Sequence, residues 1–138
     1  MQIDSLTKFY LYMKRIFLLL MVVFATSLVS AQQREASITV VGDAVYDFGD
    51  IKESDGSVSH IFTVLNNGEL PLVITRVLAS CGCTTPDWSK EPIAPGKTGE
   101  IKVTYDTAGR PGPFTKTISV YSNGKTGNYV LTIKGDVK

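Results

Sequence analysis

Of the residues that most often build metal centres and proton relays, this chain of 138 residues has few: two cysteines and one histidine. A single histidine with no evident partner makes poor acid–base machinery, which argues against an enzyme. Two cysteines are too few for a disulfide framework, and no zinc-helix motif accompanies them. The formal net charge is +1, so no basic surface is available to hold nucleic acid. The four aspartates Asp43, Asp47, Asp50 and Asp55 lack the spacing of a calcium loop and read as turn residues. No glycine-rich phosphate cradle, nucleophile elbow, internal repeat or low-complexity tract is present.

Long apolar runs are scarce too. The one that stands out, Ile16 to Val29, has fourteen residues, short of the roughly 20 that a membrane-crossing helix needs. Lys14 and Arg15 precede it and Val29-Ser30-Ala31 closes it with small residues at the cleavage spacing. This is the layout of a secretory signal peptide over residues 1–31, cut after Ala31; the competing reading is a short membrane anchor. Met13-Lys14-Arg15 is the more ordinary start for such a leader than Met1. No cysteine lies at the cut, which argues against a lipoprotein. Residues 32–138 then form the mature domain, expected in the periplasm or outside the cell, with no membrane contact after cleavage.

That mature part carries 11 basic and 12 acidic residues, a net charge of −1. It has 11 Val, 8 Ile and 12 Thr against 5 Leu and 5 Ala, a ratio that favours pleated sheet over helix. All 12 Gly and 6 Pro fall there, spaced as turn punctuation. The pattern predicts strands at 38–41, 45–48, 57–66, 72–80, 99–106, 115–122 and 128–137. Asn66-Asn67-Gly68 reads as a turn of residues that tolerate positive φ. Residues 81–95 read as irregular, because Pro86, Pro92 and Pro95 cannot donate to a ladder. Gly109–Pro113 reads as a stiff loop, and Asn123-Gly124 as the opening of a hairpin. Phe62, Val64, Ile74, Ile101, Val103, Ile118, Leu131 and Ile133 are the expected core. About seven short strands around one core make an antiparallel β-sandwich.

Several motifs narrow this further. Tyr46-Asp47-Phe48-Gly49-Asp50-Ile51 is followed by His60-Ile61-Phe62, then Asn66-Asn67-Gly68, Pro71-Leu72-Val73-Ile74, Ser80-Cys81-Gly82-Cys83-Thr84, and Pro95-Gly96. Between Tyr46 and Asp106 the chain resembles the bacterial domain-of-unknown-function family fifteen-seventy-three, with Tyr46 where phenylalanine is usual. The Ser-Cys-Gly-Cys-Thr block is the specific part of the match. The resemblance implies an immunoglobulin-like sandwich, similar to the abnormal-spindle/hydin and sperm-protein type domains that bind proteins. It implies no catalytic residues.

Cys81 and Cys83 are the only sulfurs left after the leader. Exported thiols tend to oxidise, so the two are candidates for a disulfide. Residues i and i+2 of a strand have Cα atoms about 7 Å apart, whereas a disulfide favours about 5.5–6 Å. A bridge therefore needs a kink, with Gly82 the residue to permit it. Three readings stay open: a structural pair, a strained pair that exchanges with thiols, and a Cu(I) or Zn site completed by His60. Against exchange, no Lys, Arg or His flanks the pair in sequence. His60, on one face with Phe62 and Val64, also reads as a core-edge histidine hydrogen-bonded to backbone. Trp88 and Arg110 read either as caps over one end of the sandwich or as partner contacts on the same end as the cysteines.

The reading is an exported immunoglobulin-like module, either protein-binding or structural, that needs no cofactor. Its partner is another exported or envelope protein. The alternative is a thiol-redox or Cu(I)/Zn-handling accessory protein using Cys81 and Cys83. N-terminal sequencing of exported protein is expected to begin at Gln32; membrane-held protein that keeps Met1 or Met13 would overturn the compartment assignment and the oxidation argument together.

Overall fold

The computed structural model describes residues 3–26 and 33–138. The Val29–Ala31 cleavage site and the new terminus at Gln32 lie outside the described residues. Two compact units divide at Gln33/Arg34. In the first, helix α1 (Ile3–Thr26) begins thirteen residues before the apolar run and takes in Lys8, Lys14 and Arg15. Among the described residues, no helix is long and apolar enough to cross a membrane.

In the second unit the β-branched residues form eight strands: β1 (Ile38–Val40), β2 (Val45–Ile51), β3 (Val58–Asn66), β4 (Ile74–Ala79), β5 (Thr84–Trp88), β6 (Thr98–Tyr105), β7 (Gly112–Ser122) and β8 (Asn128–Val137). They build two four-stranded sheets, ordered β1-β3-β6-β5 and β2-β8-β7-β4. Alternation does what the pattern required: Phe62, Val64, Ile74, Ile101, Val103, Ile118, Leu131 and Ile133 are all buried in one core. The fold is an immunoglobulin-like β-sandwich.

Three expectations change. The eighth strand is β5, which forms in the proline-rich stretch expected to be irregular. Pro86 is tolerated because β5 is an edge, paired only with β6, so a missing donor on its free side breaks no ladder. Pro113 likewise sits inside β7, opposite Asp136, where β4 does not reach: β4 covers β7 only from Ile118 to Ser122. The sandwich is also not wholly antiparallel. β2 pairs parallel to β8, from Val45↔Thr132 to Ile51↔Val137. Such a pair needs a long connection, and five strands lie between its members.

Asn66-Asn67-Gly68 turns for a different reason from the one its composition suggested. No non-glycine residue has positive φ among those described, and Gly68 is not among the glycines that do. Asn66 is instead fully buried. Its Nδ2 donates to the carbonyls of Leu70 (2.7 Å) and Ile93 (2.8 Å), and its Oδ1 accepts from the Gly68 N–H (3.0 Å). Gly68 is needed for closeness: a Cβ there would collide with the backbone of Glu35, Ala36 and Ser37.

Phe62→Ala is expected to cost roughly 3–5 kcal/mol by leaving a cavity in the core. Asn66→Ala should cost about 3 kcal/mol or more, because two buried carbonyls lose their donor. Urea unfolding measures both; a loss under 1 kcal/mol for Asn66→Ala would show that water replaces its side chain (compare about 1 kcal/mol for an ordinary net hydrogen bond).

Candidate functional site

Cys81, Gly82 and Cys83 form the turn between β4 and β5, and the two sulfurs are joined as a disulfide with Cα atoms 5.3 Å apart. The approach comes from the turn itself: the Thr84 N–H donates to the Cys81 carbonyl at 3.3 Å. Gly82 does not supply it in the way expected. It is not among the positive-φ glycines, and a Cβ on it would meet nothing within 4 Å. Backbone bonds hold both ends of the turn, from Ser80 N–H to the Thr117 carbonyl and from Asp106 N–H to the Cys83 carbonyl, each 2.9 Å. Thr84, buried at the start of β5, places Oγ1 3.5 Å from Cys81 Sγ and 3.9 Å from Cys83 Sγ. In sequence Thr84 is the last residue of the Ser-Cys-Gly-Cys-Thr block, with nothing local to give it a role. Its signal was its place beside Cys83 at the first inward position of a strand that prolines concealed.

Trp88 ends β5, opposite Ile101. Its indole N–H donates to the Ile74 carbonyl at 3.3 Å. Ile74 belongs to the other sheet, so the indole ties the two sheets along one flank instead of capping an end. The Lys90 ammonium sits 2.9 Å from the ring centroid. On the outer face of the sheet that holds β5, away from the indole, runs a shallow groove of about 280 Å³, lined by Ile61, Asp87, Trp88, Ser89, Glu100 and Lys102. Ile61 is 48% exposed, a large aliphatic side chain on the outer sheet face.

Arg110 turns back on its own loop. Its guanidinium donates to an Asp106 carboxylate oxygen at 3.0 Å and to the Ala108 carbonyl at 2.9 Å. Asp106 also binds Cys83 through its N–H, so the cysteine turn and the Arg110 loop share one end. Trp88 does not join them. It lies four residues along β5 from Thr84, at the far end of the β5–β6 pairing.

His60 is also elsewhere, on β3 opposite Val103. Its ring stacks on Tyr46 of β2 at 3.5 Å and meets the edge of Phe62 at 4.6 Å. Aromatic packing holds it, where a backbone hydrogen bond was expected. Tyr46 continues to Phe48, Phe114 and Tyr105, an aromatic row that closes one side of the sandwich. Among the described residues, no group of three or more His, Cys, Asp and Glu side chains is placed to hold a metal ion. His60, Cys81 and Cys83 are therefore not assembled as a ligand set.

The model of a family described as protein of unknown function (DUF1573) matches residues 38–137. The chain belongs to this family. The match takes in all eight strands of the DUF1573 domain, beyond the stretch from Tyr46 to Asp106 that carries the motifs. No curated protein matches the chain in sequence. A protein of unknown function from Porphyromonas gingivalis W83 is similar in structure, with a TM-score of 0.66 and 15% identity over 78% of this chain; the chain spans 50% of that protein. The ASH/PapD-like domain 7 of human CEP192 is similar at a TM-score of 0.61 and 7% identity, over 80% of this chain and 93% of that domain. The YadV chaperone is similar at 0.54 and 16%, over 74% and 52%. At these identities the likeness is one of fold: an immunoglobulin-like sandwich of the PapD-like kind.

Burial between Tyr46 and Phe62 lowers the His60 pKa from its usual 6.5. The unfolded chain then binds the proton more readily than the folded one. The contribution of His60 is complete above the unfolded value and is lost as pH falls through it, down to the folded midpoint. An NMR titration of the imidazole is expected to have its midpoint below 6.5, and His60→Phe should flatten the dependence of stability on pH in that window. A midpoint at or above 6.5 would mean that the ring is solvated or paired with an acid.

Proposed function

We propose that this protein is an exported module that binds another exported or envelope protein and has no catalytic role. The groove beside Trp88 carries the reading. Exposed Ile61 lies on the outer sheet face within a rim of Asp87, Ser89, Glu100 and Lys102, while the Trp88 indole turns to the core side and ties β5 to β4 beneath it. An apolar anchor inside a polar rim is the usual composition of a protein-binding patch. Such a patch suits a partner that offers an apolar side chain with charges of both signs around it. The immunoglobulin-like fold supports the same reading, since it presents sheet faces and loops from a rigid frame. The charged pair Lys14-Arg15 ahead of the fourteen-residue apolar run supports export to the periplasm or beyond.

Photo-crosslinking in the exporting cell tests this. Ile61→Lys is expected to weaken capture of the partner by about 2 kcal/mol or more, as a central interface residue does, and Trp88→Ala should weaken it too, by freeing the strand that carries one wall of the groove from β4. Arg110→Ala should weaken it less, because Asp106 and Ala108 already engage the guanidinium. Cys81→Ser with Cys83→Ser should leave capture nearly intact. The opposite order, with capture lost in the double serine variant and kept in Ile61→Lys, would overturn the proposal and place the binding of the partner at the cysteine turn.

A further inference from the structure

We propose that Cys81–Cys83 is an exchangeable disulfide, and that Thr84 is the positioning residue that holds the departing sulfur. The inference does not rest on the partner groove. It rests on what the bridge adds to the fold and on what touches it.

As a staple, the bridge adds little. It closes a loop across a sequence separation of 2, so it restricts the unfolded chain far less than a long crosslink would. The folded backbone is held without it, by the bonds from Ser80 to Thr117, from Thr84 to Cys81 and from Asp106 to Cys83. Opening the bridge therefore leaves both cysteines at the same turn, poised to close again. Both are half-buried and Gly82 between them is exposed, so an incoming thiol can reach the pair.

Thr84 gives the pair a direction. A disulfide sulfur carries no hydrogen, so the hydroxyl is the donor, and its nearer sulfur is Cys81 Sγ, at 3.5 Å against 3.9 Å. Because Thr84 is 4% exposed, water competes weakly for that hydrogen bond. When the S–S bond breaks, the hydrogen bond strengthens as charge develops on the departing sulfur. The step is then defined. A thiolate from a partner attacks Cys83 Sγ and a partner–Cys83 disulfide forms. The Cys81–Cys83 bond breaks and its electron pair leaves on Cys81 Sγ, facing Thr84. A second partner thiolate attacks the partner's own sulfur and frees Cys83. In total, two thiols become one disulfide, and two electrons and two protons pass to Cys81 and Cys83. The hydroxyl takes the place of the flanking cation that the sequence lacks.

The test uses the purified protein in glutathione redox buffers, with alkylation and mass measurement of the thiol state. The disulfide is expected to open and close reversibly at neutral pH while the circular dichroism of the sandwich is retained. An acid-quenched sample should carry the glutathione adduct on Cys83. Thr84→Val should slow reduction by about threefold to tenfold, the part of a charge-assisted hydrogen bond expressed in the transition state, and should raise the Cys81 thiol pKa. Thr84→Ser should restore both, and Thr84→Ala serves in place of valine if that variant does not fold. Reduction that needs denaturant or unfolds the sandwich would overturn the proposal and leave a staple. An adduct on Cys81, or wild-type kinetics in Thr84→Val, would overturn the role of Thr84.

Discussion

Asn66 ends β3 with none of its surface exposed, and its polar atoms hold together chain segments far apart in sequence. Besides its side-chain bonds to Leu70, Ile93 and Gly68, its Oδ1 lies 3.4 Å from the Ser37 N–H. Its main chain accepts from Gly96 at 2.7 Å and donates to Lys97 at 3.0 Å. One residue, through its side chain and its main chain, thus sets the start of β1, the exit of β3 and the turn before β6. A buried amide is costly unless all its bonds are made, so the arrangement is all or none. The close passage of Gly68 against residues 35–37 belongs to the same constraint.

This corner fixes the ends of β1, β3 and β6 within one sheet, and each flank of the sandwich is closed by an aromatic residue that reaches the other sheet. On one flank the Trp88 indole reaches from β5 to the Ile74 carbonyl in β4. On the other, Tyr46 of β2 stacks on His60 of β3. The functional features hang on that frame. The groove beside Trp88 needs β5 to be a strand, since it is the register of β5 and β3 on Lys102 that sets Asp87 and Ile61 on one outer face. The cysteine turn needs β4 and β5 to end where they do, because those ends bring Thr84 Oγ1 to both sulfurs. The exposed ion pairs, such as Arg34–Glu69 at 3.9 Å, add little to any of this.

Much of the core was legible because burial on a strand follows a period of two. Every second residue from Phe62 to Val64, and from Leu131 to Ile133, faces the same way whatever the strand pairs with. The fold class and the specific Ser-Cys-Gly-Cys-Thr block could be read for related reasons: composition sums over the chain, and the block is local. Pro86 misled because proline forbids a ladder bond only on the side where a neighbour waits, and sequence does not say which strands are edges. Gly82 misled because the turn closes with ordinary φ, so glycine there is not a backbone requirement.

By itself, the sequence determined the pleated character of the chain, the inward residues of its main strands and the presence of two sulfurs two residues apart as candidates for a bridge. These follow from side-chain branching, alternation and separation along the chain, all local quantities. Only the tertiary structure decided that β2 runs parallel to β8, that Trp88 lies away from the cysteine end, and that Arg110 is engaged by its own loop. It also decided that His60 packs against Tyr46 and that Thr84 meets the sulfurs. Those are relations between residues on different strands. They depend on which edges pair and in what register, and the period of two within a strand says nothing about its neighbour.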